Sequence, residues 1–320
     1  MDIHKINNLE IRRVTNDILL VHQIKAKGNF STCDGLIILP RKGRNSKTIV
    51  LDANIEPKYV IKLNDLYGPV SNYVCTHGHM DHSSHVYVWE KIGAIVHAPS
   101  PEATYLLDLH NFFEGFGFNE ALNYSDIEKF GELNGFHKCN NVKSFEPGDL
   151  LKFENFIVET ISFSGHSKAH VGLYLPNEKI LHVSCLGFDQ PKPGVDAFGP
   201  WYGFKECSIE QYLSDINYAE EIFVNKAKFL TSSHSYIAKN PDRSPFDYMR
   251  KKINDNQHRV DNALKSLNFR LNFEEKLKKL LELDIFFPKK KMEGFLLNIY
   301  TLWESWIIRK HLERNKNRIK

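Results

Sequence analysis

Short apolar, β-branched runs recur along most of the chain, at residues 18–24, 36–39, 48–51, 70–75 and 94–97, and again at 150–153, 156–161, 171–175, 180–184 and 228–231. Their length and their Gly, Pro and Asn boundaries predict strands. Residues 57–66 and 83–91 suit helices, and 208–223 is the longest clear amphipathic one, with Ser208 as N-cap and Gln211 three positions on. Strand and helix alternate as in a layered α/β protein. Residues 101–145 differ: they are helix-compatible, crowded with aromatics such as Phe112, Phe116 and Phe130, and interrupted by Gly115, Gly117, Gly131 and Gly135. Beyond Pro241 and Pro245 glycine nearly disappears and helix formers with Lys and Arg take over. There 246–266, 273–283 and 293–313 read as helices, the second capped by Asn272. The pattern divides the chain into an α/β domain over 1–244 and a helical domain over 245–320.

The strand at 70–75 runs straight into Thr76-His77-Gly78-His79-Met80-Asp81-His82, three imidazoles and a carboxylate within six positions. In a packed core each would need its own hydrogen-bond partner, whereas metal ions satisfy them together. On a tight loop His77 and His79 point to one side and Asp81 and His82 to another, so one turn can feed two cations a few ångströms apart. His85 and His97, outside this motif, read as ordinary residues.

The pattern His-X-His-X-Asp-His placed directly after a strand resembles the metallo-β-lactamase superfamily. The likeness covers about residues 10–240 and implies a four-layer αββα sandwich. Asp52, closing the strand at 48–51, matches an Asp that orients the metal loop. In Ser164-Gly165-His166-Ser167 the superfamily's leading Pro is Ser164, His166 matches a metal ligand, and His170 matches a neighbouring position that does not ligate. Ser184-Cys185 stands where the superfamily most often has Gly-Asp, so Cys185 replaces the carboxylate that bridges two metals. A thiolate is a single, softer donor that favours zinc, copper or iron over magnesium or manganese. His234, after the strand at 228–231, completes the set.

The resemblance thus implies a first metal on His77, His79 and His166, and a second on Asp81, His82 and His234 with Cys185 near or between them. The cofactor is one or two Zn2+ per chain, with iron open, and Asp81 handles the proton of the nucleophile. Residues 101–145 either pack on the sheet or cover the site, and Trp201 and Tyr202, in the loop 189–203, are candidates for a substrate-facing wall. The end of the chain is similar to the winged-helix tail of certain proteins of this fold.

Composition narrows the function. With 42% apolar residues, a net charge of +3 and a pI near 8.4, the 320-residue chain has a real core and no strong electrostatic footprint for nucleic acid. The Lys-rich tail from Arg259 onward reads as solvated helix rather than a nucleic-acid clamp. No basic-then-apolar leader opens the sequence and no run approaches a membrane span, so a cytoplasmic protein is expected. Cys33, Cys75, Cys139, Cys185 and Cys207 are scattered without a Cys-X-X-Cys, against a disulfide framework. The leading expectation is metal-dependent hydrolysis of a small-molecule ester, lactone, thioester or amide. A nuclease or phosphodiesterase of the same fold, and an iron-dependent oxidoreductase of the same fold, are the alternatives. A homodimer is left open.

Overall fold

The alternation seen in the sequence builds two sheets. In the computed structural model, which describes residues 3–28, 30–40, 47–154, 156–187, 200–267 and 270–318, the first sheet has eight strands in sequence order. They are β1 (Ile3–Ile6), β2 (Leu9–Arg13), β3 (Ile18–Gln23), β4 (Gly35–Ile38), β5 (Thr48–Leu51), β6 (Val70–Val74), β7 (Ile95–Pro99) and β8 (Lys143–Phe145). The first five form an antiparallel meander, and β5 to β8 pair in parallel. The second sheet holds β9 (Leu150–Phe153), β10 (Phe156–Ser162), β11 (Val171–Leu175), β12 (Ile180–His182), β13 (Phe229–Thr231) and β14 (Ile237–Lys239). Its only parallel pair among these is β12 with β13.

Residues 18–21 are apolar without a break because both faces of β3 are covered there. Ile18 and Leu20 meet Val158, Val171 and Leu173 in the seam between the sheets. Leu19 and Val21 turn outward to Val60 and Leu63 of α1 (Pro57–Tyr67) and to Trp89. Trp89 sits on α3 (Val86–Lys91), which follows the single turn α2 (Met80–Ser83). On the far face of the second sheet, Leu181 and Tyr174 pack under Ile216 and Phe223 of α6 (Ile209–Asn225). The result is the expected four-layer sandwich. Ser208 caps α6, accepting from the Gln211 N–H at 3.3 Å.

Four strands escaped the sequence reading. β1 is mostly exposed, β8 and β14 are three residues long, and β2 buries only Leu9 and Ile11 on its core-facing side. The helix expected over 83–91 begins at Met80 and splits in two. An unbroken helix would bond the His85 N–H to the Asp81 carbonyl. Instead Asn54 inserts its side-chain amide: Oδ1 accepts from the His85 N–H at 2.8 Å, and Nδ2 donates to the Asp81 carbonyl.

The aromatic stretch forms a 3-10 turn (Glu102–Leu106), α4 (Leu109–Gly115) and α5 (Tyr124–Asn134). The C-terminal region is helical, with α7 (Ser244–Lys265), α8 (Phe273–Leu281) and α9 (Gly294–Arg318). Asn272 and Glu275 cap α8 reciprocally. No strand follows β14 among the described residues, so the likeness to a winged-helix tail fails for want of a wing. Ile299, Trp303, Trp306 and Ile307 of α9 share one apolar cluster with Phe116, Trp201 and Tyr212 of the α/β part. No helix among the described residues is long and apolar enough to cross a membrane.

Leu173 is fully buried in the seam. Leu173→Ala should lower stability by about 2–5 kcal/mol in urea unfolding followed by circular dichroism; a loss below about 1 kcal/mol would contradict the two-sheet core.

Candidate metal centre

Five chain segments emerge at one edge of the sandwich: the ends of β5, β6, β10, β12 and β13. A single buried carboxylate gathers four of them. Asp52 Oδ1 accepts from the Thr76 N–H at 3.0 Å, while Oδ2 accepts from the hydroxyls of Thr76 (2.8 Å), Ser184 (3.1 Å) and Ser233 (2.7 Å) and lies 2.9 Å from His82 Nδ1. Burial pushes the Asp52 carboxyl up, but the His82 charge and hydrogen bonds from His182 and His82 outweigh it and hold the group far below the usual carboxylate range. For His82 the same balance runs in reverse: burial lowers its pKa, and the carboxylates of Asp52 and Asp81 raise it overall. Asp52 (φ 60°), Ser184 (φ 49°) and Ser235 (φ 68°) all occupy the left-handed region, which is costly for residues with a Cβ. Such strain gathers at functional sites and is held by the bonds around it.

Within this frame His77 Nε2, His79 Nδ1 and His166 Nε2 converge. His166 Nε2 lies 3.2 Å from His77 Nε2 and 3.0 Å from His79 Nδ1. Burial, reinforced by the neighbouring imidazoles, holds all three well below the ordinary histidine pKa, so they are neutral at pH 7. His166 Nδ1 sits 2.9 Å from the Trp201 carbonyl, which can only accept, so its proton is on Nδ1 and Nε2 presents a lone pair. A lone pair facing two further imidazole nitrogens is a donor set suited to a cation.

The donor atoms of Asp81, His82, Cys185 and His234 form a second group, all within 4.8 Å of one another. Cys185 Sγ is 3.0 Å from His82 Nε2 and 2.9 Å from His234 Nε2. It also belongs to a group with His77 and His166 at the same separation, and so lies between the two clusters. All seven residues singled out in the sequence are therefore brought together. His170 stands behind them: Nδ1 donates to the Phe163 carbonyl at 3.1 Å, and Nε2 accepts from the Cys185 N–H at 3.3 Å. His97 lies apart, 2.9 Å from Asn72 Oδ1.

Two buried carboxylates that the sequence did not reveal hold the histidine loops. Glu102 accepts from the Gly78 N–H at 2.7 Å and the Ala169 N–H at 2.8 Å, clamping one loop to the other, and burial pushes its pKa up to about 7. Asp215 accepts from the Gly165 N–H at 2.7 Å, and burial raises it to about 6. At Gly165 a Cβ would lie 2.3 Å from the Tyr212 backbone nitrogen, so only glycine lets the loop press onto α6. Asp215 left a trace in the sequence, a carboxylate on the apolar stripe between Tyr212 and Ile216; Glu102 left none. Cys33, with Sγ 3.2 Å from His82 Nδ1, and His182, with Nε2 3.1 Å from Ser233 Oγ, are two further members. His182 was marked by its place in an otherwise apolar strand.

A cavity of about 30 Å3 adjoins both clusters. His79, Asp81, His166, Cys185 and His234 border it, and Phe30, Phe112, Phe130, Trp201, Phe204 and Trp303 wall it. The 101–145 segment thus covers the site through Phe112 and Phe130. Of the expected wall residues, Trp201 takes that place, whereas Tyr202 turns away. Its hydroxyl lies 3.0 Å from His311 Nε2 on α9 and accepts from Asn256 Nδ2 at 3.1 Å. Residues 189–199 of the same loop lie outside the described residues.

The family model of the metallo-beta-lactamase superfamily matches residues 47–223. The chain belongs to that superfamily. Among solved structures, a metallo-beta-lactamase family protein from Thermus thermophilus is similar over 89% of each chain, with 16% identity and a TM-score of 0.60. A metallo-beta-lactamase from Pontibacter korlensis matches over 77% of this chain and 99% of its own, with 17% identity and a TM-score of 0.53. The metallo-beta-lactamase FIM-1 from Pseudomonas aeruginosa, in its mono-zinc form, matches over 77% and 95%, with 15% identity and a TM-score of 0.53. No curated protein matches the chain. At these identities the structural neighbours speak for the superfamily fold, and the superfamily with the His/Asp/Cys cluster supports a metal-dependent hydrolase at that level.

Replacing Asp52 by Asn keeps its size but removes the charge that orients His82 and turns one acceptor into a donor. Metal affinity measured by chelator competition should fall about 10–100-fold with the fold retained; unchanged affinity would remove Asp52 from the centre.

Proposed function

We propose that this superfamily member is a zinc-dependent hydrolase of a small ester, lactone, thioester or amide carrying an apolar acyl group. In this reading His77, His79 and His166 would hold one ion, Asp81, His82 and His234 would hold a second, and Cys185 would supply a thiolate to the site. A thiolate among five imidazoles selects zinc over harder cations. When bound, such ions lower the pKa of water from about 15.7 toward about 7 and polarise the acyl carbonyl.

The chain supplies the rest. Hydrolysis joins the oxygen of water to the acyl carbon and breaks the bond to the leaving oxygen, sulfur or nitrogen, which departs with a proton. Asp81, whose side chain is 14% exposed and borders the cavity, takes the proton from the attacking water and returns it to the leaving group. His170 fixes the Cys185 backbone, and the aromatic walls exclude bulk water and receive the acyl group.

The observation that carries this reading is the cavity itself. Metal-type donors border it, aromatic rings and Met80 form the remaining walls, and among the described residues no Lys or Arg lines it. A phosphodiester substrate would call for cations there. The five cysteines are buried and none forms a disulfide, which supports a reducing, cytoplasmic setting.

Elemental analysis and a substrate panel test the proposal together. Wild-type protein should carry zinc and cleave apolar thioesters, esters or lactones at least about tenfold faster than bis(p-nitrophenyl) phosphate. His166→Ala should lose metal and nearly all activity. Full metal occupancy in that variant, or preference for the phosphodiester, would contradict the reading.

A further inference from the structure

Among the described residues that line the cavity, two carry a buried polar atom without a hydrogen-bond partner. Trp303, 2% exposed, lines the cavity from α9, and its Nε1 is buried without a hydrogen-bond partner. Trp89 behaves as buried indoles usually do: its Nε1 donates to the Ala53 carbonyl at 3.0 Å. Around Trp303 the neighbours are rings. Phe30 lies at 5.4 Å, Trp201 at 5.2 Å with planes at 89°, Tyr300 at 5.2 Å, and Phe118, Phe130 and Phe204 lie slightly farther out. Edge-to-face contacts on several sides fix the indole plane, and with it the direction of the N–H. His79 Nε2, also buried and unpartnered, borders the same cavity.

An apolar wall built only for packing would use Phe at this position, because an unpaired buried N–H carries a desolvation cost and returns nothing. A site made to hydrogen-bond its substrate discriminates strongly against the analogue that lacks the acceptor. We propose that Trp303 is a specificity-determining residue whose indole N–H donates to an acceptor oxygen on the substrate. The acyl group is then not a plain hydrocarbon. It carries a carbonyl or ether oxygen within its apolar body, separate from the scissile carbonyl, and α9 forms part of the substrate site. The substrate class rests on the hydrolase reading above; the donor role of Trp303 does not.

Two readouts separate those claims. The first is kcat/KM for N-acetylcysteamine thioesters of hexanoate and of its 3-, 4- and 5-oxo derivatives, using zinc-loaded full-length protein. Wild type should favour at least one oxo isomer about tenfold over hexanoate. Trp303→Phe, which keeps a ring and removes the N–H, should bring the ratio of the oxo to the hexanoate kcat/KM down to about one.

The second readout is the set of four indole N–H resonances of wild-type protein in 1H–15N spectra, with Trp303 assigned by its loss in the Phe variant. Acetophenone should move the Trp303 resonance downfield, and ethylbenzene, its counterpart without the oxygen, should not. If the resonance moves but neither these thioesters nor the matching esters and lactones are cleaved, the hydrolase reading fails and the donor role stands. If thioesters are cleaved, Trp303→Phe affects all of them alike, and acetophenone leaves the resonance in place, the donor role is overturned. Should the Phe variant not fold, failure of acetophenone to move any of the four indole resonances overturns the proposal by itself.

Discussion

The Asp52 carboxylate is the point on which the site depends. Buried and charged, it is tolerable only because three loops bring donors to it: the backbone and hydroxyl of Thr76 with the His82 ring, and the hydroxyls of Ser184 and Ser233. The exchange works in both directions. The loops stabilise the charge, and the charge fixes the loops, so that metal-type donors from both sheets meet within a few ångströms. Strain at Asp52, Ser184 and Ser235 is what this convergence costs the backbone.

Around that anchor the molecule is built asymmetrically. Below, Val, Ile, Leu and Phe side chains fill the seam between the sheets. Above, aromatic residues from four remote places, the β3–β4 connection, the 101–145 segment, the 200–204 stretch and α9, close over the donors. Tyr202, His311 and Gln257 form a polar chain that ties the 200–204 stretch to the C-terminal helices, with His311 Nδ1 2.8 Å from Gln257 Oε1. The backbone of Trp201 in turn holds His166. Packing of α9 is therefore connected to the orientation of a histidine in the centre by covalent and hydrogen-bonded steps.

Much of the centre was legible because its chemistry is concentrated. His77, His79, Asp81 and His82 are nearly contiguous, and His166, Cys185 and His234 each follow an apolar strand that leaves no other use for a polar end. The caps Ser208 and Asn272 were legible for a local reason, a side chain bonding a backbone three residues away. Glu102 was not, because it acts on the N–H groups of Gly78 and Ala169, 24 and 67 residues away, and nothing local marks a carboxylate that bonds backbone across the fold. Tyr202 and Trp201 illustrate the same limit: neighbours in one loop face opposite ways, and only the packing of α9 decides which one reaches the cavity. The change in composition near residue 245 announced helices without showing that their aromatic face would join the core of the sandwich.

The central claim is that Cys185 joins the two clusters as a metal-bound thiolate, and cobalt substitution tests it most directly. Protein loaded with Co2+ should show an intense thiolate-to-cobalt charge-transfer absorption in the near ultraviolet, and Cys185→Ser should abolish it while His77, His79 and His166 still bind one equivalent. Absence of the band in the wild-type protein, or its persistence in the Ser variant, would contradict the account.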